Sequence, residues 1–317
     1  MDDWQQYRNN RWNTNTITMG CFFTNDVEHT SVNGCTFERI ANEVETNTLP
    51  RLLDLYDQYN VRSTFFVLAS LAEKHPNIVK QIHERGQEVA SHGYTHDYRK
   101  AFDVLSLDEQ ITELKKSKDI LEQIIGQQVV SFRAPALRVN EYTPLALESA
   151  GYHFDSSVAP QRMDAFMSLG SKKKRAWLNA PRCVYRTAID NLARKGNSNI
   201  IEVPVSSFGV PYIGTVMRIS PYLLDAITRQ MLAWEVKGTE KPVNFLFHPS
   251  EAVAELPEES IALHRSDSMI GHLFSDIIRT KIKLKNLNDN ALTLLEKELQ
   301  FWSKRQQFMQ IKDAQVK

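Results

Sequence analysis

Short apolar, β-favouring runs alternate along this chain with longer stretches whose apolar positions recur every three or four residues. The runs "ITMGCFFT" (17–24), "VRSTFFVLA" (61–69), "QEVAS" (87–91) and "VVSFR" (129–133) predict strands. Three more are predicted at "YHFDSS" (152–157), "NIIEVPVS" (199–206) and "VNFLFH" (243–248). Between them lie helices with start and stop signals. Thr48 is placed to cap a helix whose Leu49, Leu52, Leu53 and Tyr56 share a face, and Pro76 opens another that Gly86 ends. Ser106 and Glu109 form a capping box ahead of Ile111, Leu114, Leu121 and Ile125, with Gly126 as the stop. Thr143, Pro144 and Gly151 bracket a fourth helix. Strand and helix in alternation predict a parallel sheet wrapped in helices, either open or closed into a barrel.

Residues 161–198 fit this alternation poorly and read as an insertion or lid. After about residue 254 the character changes: Leu292, Leu295, Leu299 and Trp302 make one stripe, which predicts a terminal helix docked on the core. The expected organisation is an N-terminal extension over 1–15, a main domain over 16–254 and a helical extension over 255–317.

The balance of 38 basic against 38 acidic residues removes any electrostatic reason to expect nucleic acid as partner. No stretch approaches the length of a membrane span, and the start "MDDWQQYRNNRWN" lacks the layout of a signal peptide, so a cytoplasmic protein is expected. Cys21, Cys35 and Cys183 are odd in number and lack a paired spacing, which argues against disulfides or a thiolate metal site. Two basic runs, "KKKR" (172–175) and "RTKIKLK" (279–285), read first as solvated surface. The alternatives are a phosphate-bearing substrate and peripheral membrane contact.

Against this layout, the acids and bases sort to one place. Strand one leads into Asp26, Glu28 and His29, strand three into His92 and His96, and "VVSFR" ends at Arg133. "YHFD" reaches Asp155 and "VNFLFH" ends at His248. In a parallel barrel, those C-terminal strand ends open on one face, where active sites are built. His92 and His96, four apart, can share one metal if their loop makes a helical turn, with a carboxylate as third ligand. Asp26 and Glu28 alternate, so an extended chain points both to one side: one can bind metal while the other takes a proton. Arg133 can hold a carboxylate.

The stretches "FTNDVE", "TFFVLA", "EVASHGYTH", "FRAPA", "GYHFDSSVAP" and "FLFHP", in that order, resemble the polysaccharide deacetylases, the NodB-homology group of carbohydrate esterases. "GYHFDSSVAP" and "IIEVPVS" look closest to a branch linked to surface glycans. The resemblance implies an α/β fold, a distorted TIM-like (β/α) barrel, and hydrolysis of an N-acetyl group from an amino sugar. It implies His92 and His96 as ligands of a divalent metal, zinc foremost, Asp26 as general base tuned by Arg133, and His248 as general acid. The Ala136 N–H would serve the oxyanion, and Asp155 the substrate. The family usually has two adjacent aspartates, whereas Val27 stands at the second position here. Glu28 is then the expected third ligand, with the roles of Asp26 and Glu28 open to exchange and His29 a poorer substitute. The expected substrate is an N-acetyl sugar in surface-polysaccharide assembly, on a nucleotide or lipid carrier. A metal-independent amidohydrolase, a deformylase on the same fold, and a sugar-binding pseudoenzyme are the competing readings.

Overall fold

In the computed structural model, residues 20–28, 38–161, 177–237, 239, 241–253 and 284–316 are described. His29, Cys35, the 172–175 run and residues 279–283 of the second basic run lie outside them. The eleven strands described are β1 (Cys21–Val27), β2 (Thr64–Val67), β3 (Glu88–Ser91), β4 (Ser131–Phe132), β5 (Phe154–Asp155), β6 (Tyr185–Ala188), β7 (Asn191–Lys195), β8 (Ile201–Glu202), β9 (Ser207–Phe208), β10 (Val210–Pro211) and β11 (Val243–Phe247). Nine share one sheet in the order β11-β1-β2-β3-β4-β5-β8-β6-β7. From β11 to β8 every neighbour is parallel. Beyond β8, Ser206 N donates to Asn244 O at 2.9 Å and Ile213 bridges Leu246 in parallel, so the curled sheet meets β11 again. This is the distorted (β/α) barrel.

Strand alternation sorts the side chains. Phe22, Phe66, Ala90, Phe154 and Val203 cluster together inside the barrel. Their odd-numbered neighbours on the first three strands, Phe23, Phe65, Val67 and Val89, belong to the larger core under the helices. Because Phe22 points inward, so do Thr24, Asp26 and, one step past the strand, Glu28. Glu88 and Ala90 likewise carry the inward direction to His92.

The helix capped by Ser106 runs over Leu107–Ile125 with the capping box formed and Gly126 left-handed at φ +66°. Thr48 does not cap. It lies in helical geometry inside a wide turn, Val44–Thr48, which continues the Glu38–Glu43 helix into Leu49–Gln58. The chain enters that helix already wound, so no orphan amide is left for the hydroxyl. Within the 161–198 stretch, β6 and β7 form an antiparallel hairpin. It joins the main sheet through Tyr185↔Glu202 and Arg186↔Ile201.

The Asp289–Ser303 helix buries Leu292, Leu295, Leu299 and Trp302 as its stripe requires. Past it the chain turns under the barrel. Cys21 N donates to Gln307 O, Met309 N donates to Cys21 O, and Ile311 N donates to Thr64 Oγ1. Ile311 and Ala314 complete the interior cluster, and Lys312 N reaches the buried Glu88 carboxylate. The C-terminal segment therefore stoppers the end of the barrel opposite the histidines.

Candidate metal-centred active site

Register decides which groups meet. Asn25 pairs with Phe247, Asp26 with Phe66, Val67 with Ser91, and Ser91 with Phe132. By this register Asp26 stands level with His248, one residue past Asn25 and Phe247, and Glu28 stands level with His92 and Arg133, one residue past Val27, Ser91 and Phe132.

Arg133 is fully buried and organises the rim. Its Nη1 donates to Asp26 Oδ1 at 2.7 Å, its Nε to Ser156 O at 2.9 Å and its Nη2 to Ser156 Oγ at 2.8 Å. Burial alone would raise the Asp26 carboxyl. The positive Arg133 beside it, with His92 and His248, outweighs this and holds it below its ordinary range. The backbone carbonyl of Arg133 lies 2.9 Å from His92 Nδ1, which fixes the proton on Nδ1 and turns Nε2 toward the acids. Burial lowers the His92 pKa, and so favours the neutral imidazole a metal needs.

Glu28, His92 and His96 each offer a ligand atom, all within 4.8 Å of one another, the one such group among the described residues. Glu28 Oε2 is buried with no hydrogen-bond partner, and His96 Nε2 lies 3.2 Å from it. A buried carboxylate oxygen left unsatisfied beside two imidazoles is what a divalent cation would relieve, so the residues fit the metal. No helical turn brings the histidines together. The loop turns instead at Gly93, with φ +75°, and the two ring centroids stand 6.2 Å apart. His248 Nε2 stands 3.9 Å from Asp26 Oδ2 and 3.7 Å from Glu28 Oε1.

Residues 28–154 match the family model "Polysaccharide deacetylase". That stretch, about two fifths of the chain, has the pattern of a polysaccharide deacetylase domain. The chain is 36% identical over 86 residues to a peptidoglycan-N-acetylglucosamine deacetylase of Bacillus cereus, covering 27% of this chain and 30% of that protein. Against a peptidoglycan deacetylase of Helicobacter pylori it is 27% identical over 110 residues, 35% of this chain and 36% of the relative. The match thus spans well under two thirds of each relative. Among solved structures, the allantoinase PuuE superposes with a TM-score of 0.58 at 14% identity, over 97% of this chain and 93% of that one. A probable polysaccharide deacetylase of Pseudomonas aeruginosa superposes with a TM-score of 0.56 at 15% identity, over 93% and 89%. At such identities these likenesses speak for the fold.

Asp155 sits differently from its expected place beside a substrate. It is the odd neighbour of inward-facing Phe154, so the strand period of two turns it away from the barrel interior. There it is fully buried, its oxygens accepting from Ser157 N at 3.0 Å and Ser157 Oγ at 2.8 Å. Ser157 Oγ in turn accepts from Ala134 N at 2.9 Å, so Asp155 steadies the peptide that follows Arg133. Burial raises its carboxyl and, well beyond the ordinary range, that of Glu202 beside it. Ala136 lies where the chain turns left-handed, at φ 52°, followed by Leu137 at φ 54°.

Sequence reasoning missed Glu251 and Arg218. Glu251 Oε1 lies 4.0 Å from His248 Nδ1, and it accepts from Arg218 Nη2 at 3.0 Å and Thr215 Oγ1 at 2.8 Å. Burial would raise Glu251, but Arg218 and His248 hold it below its ordinary value. The spacing His248-x-x-Glu251 was the only signal for it.

Proposed function

We propose that this protein is a metal-dependent hydrolase that removes an N-acetyl group from an amino sugar. The observation that carries the reading is the grouping of Glu28, His92 and His96 beside an Asp26 pinned by Arg133, with His248 across from both. Glu28, His92 and His96 would hold the cation, which supplies a water of lowered pKa and polarises the amide carbonyl. Arg133 occupies Asp26 Oδ1, so Oδ2 is the oxygen left toward His92 and His248, and it takes the proton of the attacking water. The Ala136 N–H donates to the carbonyl oxygen as negative charge develops there. His248 Nε2 delivers a proton to the departing amine, without which the tetrahedral species would revert to amide. Acetate and a free amino sugar are the products.

This assigns Glu28 to the metal and Asp26 to the proton, since Asp26 spends one oxygen on Arg133 while Glu28 Oε2 has no hydrogen-bond partner. The relatives named as peptidoglycan deacetylases support an N-acetylated glycan as substrate, either wall polymer or a surface-polysaccharide intermediate on a carrier. Acetate release from chitooligosaccharides and from peptidoglycan, measured with bound zinc for the wild type and a His92→Ala/His96→Ala variant, tests the reading. Near-stoichiometric metal with turnover, both lost in the variant, is expected. A variant as active as the wild type would refute it.

A further inference from the structure

The Pro221–Asp225 turn and the Ala226–Glu235 helix carry an inverted surface. Tyr222 is 82%, Leu223 61%, Ile227 52% and Trp234 73% exposed. Leu223, Ile227, Gln230, Trp234 and Lys237 follow one another at steps of three and four, one stripe along the outside of the helix. Asp225, Thr228 and Leu232 on the other side are buried. An ordinary surface helix is polar outward. A single exposed leucine needs no explanation, but an aligned stripe with an aromatic at either end does.

The charges around the stripe indicate what covers it. Both acids of the segment are withdrawn. Asp225 is buried, and Glu235 is held by Arg182 Nη2 and Lys241 Nζ, each at 2.5 Å. Lys237 is exposed beyond Trp234, and Lys297 of the terminal helix stands with Nζ 5.8 Å from the Tyr222 ring centroid. Apolar side chains along the middle, Tyr and Trp at the ends and lysines at the margins match the interface of an anionic bilayer. A second copy of the chain docked face to face would set lysine against lysine, and between the Tyr222 and Trp234 rings the aliphatic Leu223 and Ile227 offer a sugar nothing to stack on.

We propose that this face docks on an anionic lipid surface, with the Ala226–Glu235 helix lying in the headgroup plane. The inference goes beyond the hydrolysis proposed above and does not depend on it. Co-flotation of the full chain with phosphatidylcholine vesicles, with and without phosphatidylglycerol, tests it. Binding that needs phosphatidylglycerol and weakens with salt is expected. In a Leu223→Ser/Trp234→Ser variant with unchanged melting, partitioning should fall at least about tenfold, the scale of withdrawing one large apolar side chain. Lys237→Glu/Lys297→Glu should weaken binding to the anionic vesicles. No vesicle binding by the wild type, or binding that both variants leave unchanged, would overturn the proposal. So would a dimer in sedimentation that the serine variant dissolves.

Discussion

The guanidinium of Arg133 donates through Nη1 to Asp26 Oδ1 at 2.7 Å, and both side chains are cut off from solvent. The same residue, through its carbonyl, meets His92 Nδ1. One arginine thus orients the proposed base and a proposed ligand, by separate groups. Removing its side chain should therefore affect the base far more than the ligand. Arg133→Met strands a buried carboxylate, and a loss of about 3–5 kcal/mol in urea unfolding is expected. Adding Asp26→Asn should recover part of that loss, because no unpaired charge then remains.

Glu28→Gln and Asp26→Asn separate the two acids. Glu28→Gln should empty the metal site, as read by metal analysis. Asp26→Asn should retain metal while turnover falls by about a hundredfold or more. Metal lost from the second variant and kept by the first would exchange the roles.

His248→Ala should keep the metal and lose turnover. Glu251→Gln is the subtler change, since Glu251 acts through His248 and stands 4.0 Å from its Nδ1. If the carboxylate helps to hold the ring toward Asp26 and Glu28, turnover in Glu251→Gln should fall while metal content stays unchanged. Turnover left at the wild-type rate would mean that Glu251 serves only Arg218.

Gly93→Ala should cost about 1 kcal/mol or more of stability, since the residue holds φ +75° and a Cβ there meets Phe102 at 3.3 Å. Because the turn at Gly93 sets His96 against His92, metal affinity should fall with it. Isothermal titration beside thermal melts reads both effects.

Asp225 gives a pH dependence of stability. Its carboxyl is pushed up to about 8, first by burial and then by the neighbouring Glu298. A carboxyl whose folded pKa is raised binds its proton more tightly when folded. Its contribution is full below the unfolded value of about 4 and declines as pH rises toward 8, at no more than about 1.4 kcal/mol per pH unit. In Asp225→Asn that decline should flatten, as followed by urea melts from pH 4 to 9.

From the sequence alone, the strand–helix alternation, the Ser106 capping box and the terminal Leu292–Trp302 stripe were determined, because each rests on contacts a few residues apart. So was the gathering of Asp26, Glu28, His92, His96, Arg133 and His248 at strand ends, once the strands were taken as parallel. Tertiary structure alone decided the rest. Which acid keeps an oxygen without a hydrogen-bond partner depends on Arg133, 107 residues from Asp26 in sequence, claiming one oxygen of Asp26. Asp155 was misplaced because the face a strand residue takes depends on where pairing starts, and a shift of one position reverses it. Glu251 and Arg218, 33 residues apart, meet only after a helix and a strand have packed. The C-terminal segment stoppers the barrel through backbone hydrogen bonds, which leave no mark on residue type. Local pattern encodes elements; the register and long-range pairing that turn elements into a site are set by packing.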